Sequence, residues 1–225
     1  STKSVIKEFL NFFVPCVLMA LSATLAVTVD RIFIGNFVSP LEMGAVNACV
    51  PISQLEYTIA VLIGAGAASC IAISKGKNES QKSNKIFDSS FLLSVIIGIV
   101  LTLCFCLFED FICSVLIKDN ELRLAVKDYY KIFIFLFIVM LPADIIQYVS
   151  RSDGFTKLGP ISVIVANALN VFLDWLFIVP MKMGVKGAAL GTIISLTVQL
   201  VINLLYFVIK KRTFCLCIMR FLATI

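Results

Sequence analysis

The chain contains no histidine. That excludes a mixed Cys/His zinc site and leaves carboxylates as the natural carriers of exchangeable protons. None of its eight cysteines is arranged as C-x-x-C. Cys16, Cys49, Cys70, Cys104, Cys106 and Cys113 lie in or beside apolar runs, where a free thiol behaves as a small hydrophobe, and Cys215 and Cys217 fall in the tail. Charge is sparse: Asp, Glu, Lys and Arg make up 15% of the 225 residues, against about 25% in soluble domains. No low-complexity tract or soluble domain is present. The small-residue run Ile63–Cys70 is not a phosphate loop, because no strand precedes it and no Gly-Lys-Ser/Thr follows; it reads as a site of close helix packing. No nucleophile with a base and no metal cluster stands out, which argues against an intramembrane enzyme.

What fills the chain is apolar. Hydrophobic residues make up 60% of it, and the mean hydropathy is +1.02. A bilayer core takes about 20 apolar residues per helix. Six such runs occur, at about Phe9–Ile34, Gly44–Ser74, Ile86–Leu107, Val126–Val149, Pro160–Pro180 and Gly187–Ile209. The first is too long for a secretory signal and lacks a clear cleavage site. The expectation is an all-α membrane protein, a bundle of six transmembrane helices spanning residues 1–209, followed by a basic linker or truncated tail at 210–225. The N-terminus, the second and fourth connections and the tail together hold twelve Lys and Arg, against four (Lys118, Arg123, Lys182, Lys186) on the opposite side. The positive-inside rule therefore places both ends in the cytoplasm, in an inner membrane. The net charge of +5 is scattered over short loops, so nucleic acid is not an expected partner. The loop Lys75–Lys85 reads as solvated. The patch Phe111–Ile117 is too short to span and is expected to lie at the membrane surface.

Four carboxylates interrupt these runs: Asp30, Glu56, Asp144 and Asp174. An ionised Asp at the bilayer centre costs about 2.5–3.5 kcal/mol on insertion scales, so such residues face the interior and mark ion or substrate paths. Asn170 and Asp174, four apart, share a helix face, with Asn167 about one turn earlier. Counted from the ends of their runs at a 1.5 Å rise, Asp30, Asp174 and Thr192 all fall within about 6–9 Å of the same end of the bundle. A hard cation takes such oxygens, and a proton needs only a carboxylate. The plain alternative is that Asn170 and Asp174 only join helices by hydrogen bonds. Glu56, just after Pro51, is a weaker candidate to line a cavity for cationic ligands. Asp144 is expected to pair with Arg151 at the membrane edge. Arg31 is close enough to its helix end to snorkel outward and leave Asp30 unneutralised. Pro15 removes a backbone hydrogen bond inside the first helix, giving a kink or hinge.

Several of these segments resemble one family. Arg151–Ser195, with its N-x-x-x-D followed by G-x-x-G-A-A, is similar to the region from the fourth loop to the sixth helix of MATE (multidrug and toxic compound extrusion) transporters. VDRIFIGNF at the end of the first helix and IGAGAASCIAISKGK in the second resemble that family too. The resemblance covers nearly the whole chain, but only as the N-terminal lobe of a transporter that usually has twelve helices in two lobes. It implies a sodium- or proton-driven antiporter, not an enzyme and without a cofactor. Its ion site would use Asp30, Asn170, Asp174 and Thr192, and Pro15 would match a bending position. Ala26 stands where some members carry a tyrosine, which implies a thinner polar network around Asp30. The implied partners are membrane lipid, a small organic cation held in a cavity to which Glu56 and Asn167 contribute, and a second six-helix lobe or second copy. Two other readings stay open: a lipid-linked oligosaccharide flippase of the same wider fold, whose anionic substrate would favour a basic cavity, and a non-transporting half or assembly partner.

Overall fold

The computed structural model describes residues 2–152 and 157–209; the tail at 210–225, with Cys215 and Cys217, lies outside the described residues. Among these the chain is helical throughout, as α1 (Thr2–Phe37), α2 (Pro40–Ala48), α3 (Val50–Gly76), α4 (Ser80–Leu107), α5 (Glu109–Leu116), α6 (Asn120–Phe133), α7 (Leu136–Ser152), α8 (Leu158–Ile178) and α9 (Gly184–Ile209). Five helical segments are long and apolar enough to cross a membrane, and six if the bent pair Leu122–Phe133 and Leu136–Ser152 counts as one span.

Two apolar runs are broken where the sequence reads as continuous. The second begins early, at Pro40, because Ser39 caps α2: its Oγ accepts the Glu42 N–H at 3.2 Å and donates to the Glu42 carboxylate at 3.2 Å. The helix then breaks at Cys49, and Pro51, which has no N–H to lose, sits in the first turn of α3. The fourth run bends by 46° between α6 and α7. The turn there is tightened, with the Phe137 N–H on the Ile134 carbonyl at 3.4 Å, and the Thr102 hydroxyl of α4 donates to that same carbonyl at 3.4 Å. A bent helix at membrane depth persists where such protein partners satisfy the freed backbone groups.

Helix α7 is the axis of the bundle. Ten of its residues are buried, Leu136 to Ser150, and it packs on α3, α4 and α9, while α8 packs between α1 and α9. Small residues let the helices close. A methyl group on Gly98 of α4 would lie 2.5 Å from the Phe137 carbonyl oxygen of α7. Because that neighbour is backbone, Gly98→Ala must push α4 and α7 apart, and it is expected to destabilise the lobe by about 1–3 kcal/mol. A lowered unfolding midpoint in detergent checks this; an unchanged midpoint refutes the close packing.

The polarity of the bundle is inverted relative to a soluble protein. Leu62, Leu103 and Leu107 are exposed, whereas Glu56, Ser94, Asp174 and Asn203 are completely buried. Lipid solvates the first set, and the second can only be solvated by the protein. The short helix α5, outside the spans, is held to α6 by the Lys127–Asp110 pair and by Lys131–Glu109 at 3.6 Å. The Lys127 ammonium, through its hydrogen bond, keeps the exposed Asp110 carboxyl below its ordinary value.

Candidate functional site

Near the α1–α2 end, a cavity of about 260 Å³ opens between α1, α6, α8 and α9, with contributions from α2 and α3. Its polar lining is Asp30 and Arg31 of α1, Asn47 of α2, Ser53 of α3, Tyr129 of α6, Asn167 and Asn170 of α8, and Thr192 and Ser195 of α9. Asp174 stands behind this lining, completely buried. Its Oδ1 accepts the Asn170 side-chain amide at 3.4 Å, the contact that the four-residue spacing on α8 makes available. A methyl group on Gly191 of α9 would fall 2.6 Å from that same oxygen, so the absence of a side chain there is what admits the carboxylate between α8 and α9.

Oxygens without a partner identify the chemistry. Asp30 Oδ1 and Asp174 Oδ2 are both buried with no hydrogen-bond donor, and the charge of Asp30 acts on Asp174. The side chain of Arg31 is exposed and makes no ion pair with Asp30 within 4 Å among the described residues. Thr192 donates its hydroxyl to the Ala188 carbonyl at 3.0 Å, which leaves its oxygen lone pairs available. The Asn170 amide, committed by its nitrogen to Asp174, can turn its carbonyl oxygen to a ligand. Buried carboxylate oxygens without a donor need a cation or a proton, and two carboxylates with an amide and a hydroxyl oxygen are a hard-cation donor set. No group of three or more His, Cys, Asp or Glu suited to a metal occurs among the described residues, so any ion bound here relies on the neutral oxygens as well.

The remaining sequence candidates divide between this cavity and other parts of the bundle. Asn167 lines the cavity but donates to the Ser22 hydroxyl at 3.0 Å, tying α8 to α1. Glu56 is not among the residues lining this cavity; it is completely buried on α3. The expected Asp144–Arg151 ion pair is absent among the described residues: Asp144 accepts the Gln147 side-chain amide at 3.3 Å, and the Arg151 guanidinium lies over the Tyr148 ring, 5.6 Å from its centroid. The exposed arginine reaches the aromatic face and the water beyond more readily than a carboxylate inside the bundle. Helix α1 passes through Pro15 without interruption. Asn47, Ser53, Tyr129 and Ser195 line the cavity as well, at positions that no spacing in the sequence marks. Ala26, which lacks a phenol, lines the same cavity that Tyr129 enters from α6.

The MatE family model matches residues 15–176. The chain is 26% identical over 216 residues to the multidrug export protein MepA of Staphylococcus haemolyticus, covering 93% of this chain and 46% of the relative. It is 24% identical over 203 residues to MepA of Staphylococcus aureus, strain MRSA252, covering 90% and 45%. The fold is that of a solved outward-facing multidrug resistance MATE transporter of the MOP superfamily, with a TM-score of 0.84 and 21% identity over 91% of this chain and 45% of that one. An inward-facing MATE structure gives a TM-score of 0.78 at 22% identity, over 86% and 44%. The chain thus spans about half the length of the relatives it matches.

Proposed function

Because the chain belongs to the MATE family, we propose that it is one lobe of a cation-coupled antiporter that exports small organic cations, with both ends in the cytoplasm and a second six-helix lobe or second copy completing the substrate path. The observation that supports this most is the cavity beside Asp30, Asn170 and Thr192, backed by Asp174 with its unpartnered oxygen. Sodium or a proton bound there would shift the balance between two access states by binding one more tightly. Bending of α1 at Pro15 is the proposed moving part. The predominantly acidic intramembrane charge fits a cationic substrate better than the anionic lipid pyrophosphate of a flippase.

Trp175, the single tryptophan, adjoins Asp174 and reports on the site without any partner lobe. Titration of the purified chain with sodium, against choline at constant ionic strength, and separately with acid, is expected to give a saturable change in its emission. Ethidium efflux from vesicles under an imposed gradient of the responding ion is expected to follow that gradient. No emission change with either ion overturns the site. Emission change without export in vesicles that also hold a supplied second lobe overturns the antiporter while leaving the ion site intact.

A further inference from the structure

A second set of buried polar groups lies between α3, α7 and α9, on helices other than those that hold Asp30 and Asp174. Glu56 is completely buried, and neither of its carboxylate oxygens has a hydrogen-bond donor. It shares the inward face of α3 with Ile52 and Ala60, one turn to either side, and that face packs on α7. Gly64, two turns along α3, meets Tyr148 of α7, and Asp144 lies one turn from Tyr148 on the same helix, on the side toward Glu56. Asn203 of α9, also completely buried, donates its amide to the carbonyl of Ala143, next to Asp144, at 3.5 Å, and its Oδ1 has no donor. Three acceptor oxygens without donors therefore surround one step of α7.

Other ionisable groups do not relieve this arrangement. On α7, Tyr148 lies against Gly64, two turns further along α3, with Arg151 over its ring; Tyr57, next to Glu56, is exposed. On α4, Asp88 is near the Ser80 end of the hairpin, away from Glu56. On α2, Glu42 is engaged with Ser39, and Cys49 is buried at the α2–α3 break.

A bare carboxylate in an apolar core is far costlier than the neutral acid, so in practice it is neutralised. A hard cation would need about six oxygens, more than this set supplies. A proton needs one. We propose that Glu56 and Asp144 form a second proton-binding site within the lobe, in which Glu56 carries the proton and Asp144 remains the acceptor for Gln147. Glu56 takes that proton from water and returns it only in a conformation that opens the α3–α7 seam. The site stands independently of the cation site at Asp30 and Asp174.

Infrared spectra of the full chain at neutral pH, recorded in H₂O and D₂O, test this. The Asp30→Asn/Asp174→Asn double variant is expected to retain the carbonyl band of a protonated carboxylic acid, and adding Glu56→Gln is expected to abolish it. Asp144→Asn, which leaves Glu56 in place, is expected to move that band, giving a reading even where Glu56→Gln does not fold. Absence of the band in the double variant, its survival in Glu56→Gln, or indifference to Asp144→Asn overturns the proposal. Discharge of the band by sodium at constant pH would make this a sodium site and overturn it equally. Loss of the Trp175 response in the double variant speaks only to the first site.

Discussion

Asp174→Asn is expected to weaken binding of the coupling cation about a thousandfold and to abolish gradient-driven efflux, with the chain still inserted and folded. The size follows from one charge. A carboxylate about 4 Å from a monovalent cation contributes about 4 kcal/mol at an effective dielectric of 20, or about three decades in affinity. Asparagine keeps the volume and an acceptor oxygen facing the Asn170 amide, but removes the negative charge. The lobe itself loses little, because Asp174 Oδ2 has no partner in the protein to begin with. The Trp175 emission titration should therefore lose its saturable phase while the unfolding midpoint stays near that of the unaltered chain. An unchanged titration would show that the ion binds without Asp174. A collapse of the midpoint would show that the carboxylate is a packing element. Asp30→Asn is expected to follow the same pattern, since Asp30 Oδ1 is likewise unpartnered and lines the cavity directly.

The helical periodicity of α8 is why Asn170 and Asp174 are legible as one unit: a four-residue spacing places them on one face in any helix. Depth counting is why Asp30 and Thr192 join them, because a fixed rise converts residue number into height in the membrane. Tyr129 follows no such rule. It lines the cavity from α6, which meets α7 at a 46° bend, and the bend falls at Phe133–Phe137, an aromatic and aliphatic run without glycine or proline. At the bend the Thr102 hydroxyl of a neighbouring helix donates to the Ile134 carbonyl, a contact between residues 32 apart that local pattern cannot carry. The break at Cys49 was foreshadowed only by Pro51. Proline in an apolar run signals a missing donor but does not say whether the helix kinks or restarts. Asp144 illustrates the same limit: Arg151 is about two turns away, and the choice between ion pair and ring contact was made by Tyr148. Glu56 reads in sequence as a cavity residue because charge in a membrane helix suggests water. Its burial depends on α7 covering that face of α3, which is a property of the packed bundle.

Gly191→Ala should disable the cation site without changing any charge or any residue lining the cavity. The added methyl would lie 2.6 Å from Asp174 Oδ1, 3.4 Å from Leu173 Cβ and 3.5 Å from the Asp174 backbone nitrogen. The last two are ordinary contacts and the clash is with the carboxylate oxygen alone, so the carboxylate must rotate away or α9 must retreat. Either movement stretches the Asn170–Asp174 contact, already at 3.4 Å, and displaces an oxygen by about an ångström. Displacements of that size in a preorganised site cost on the order of 100-fold, whereas alanine in place of an ordinary helix glycine stabilises by about 0.5–1 kcal/mol. The two effects oppose each other, which makes the result diagnostic. Cation affinity read from Trp175 should fall about 100-fold, and the Asp174→Asn change added on top should weaken binding by less than it does alone, because both act on one carboxylate. Full additivity would mean that Gly191 and Asp174 act independently, and that the tight fit of α9 against the carboxylate has no part in holding the ion.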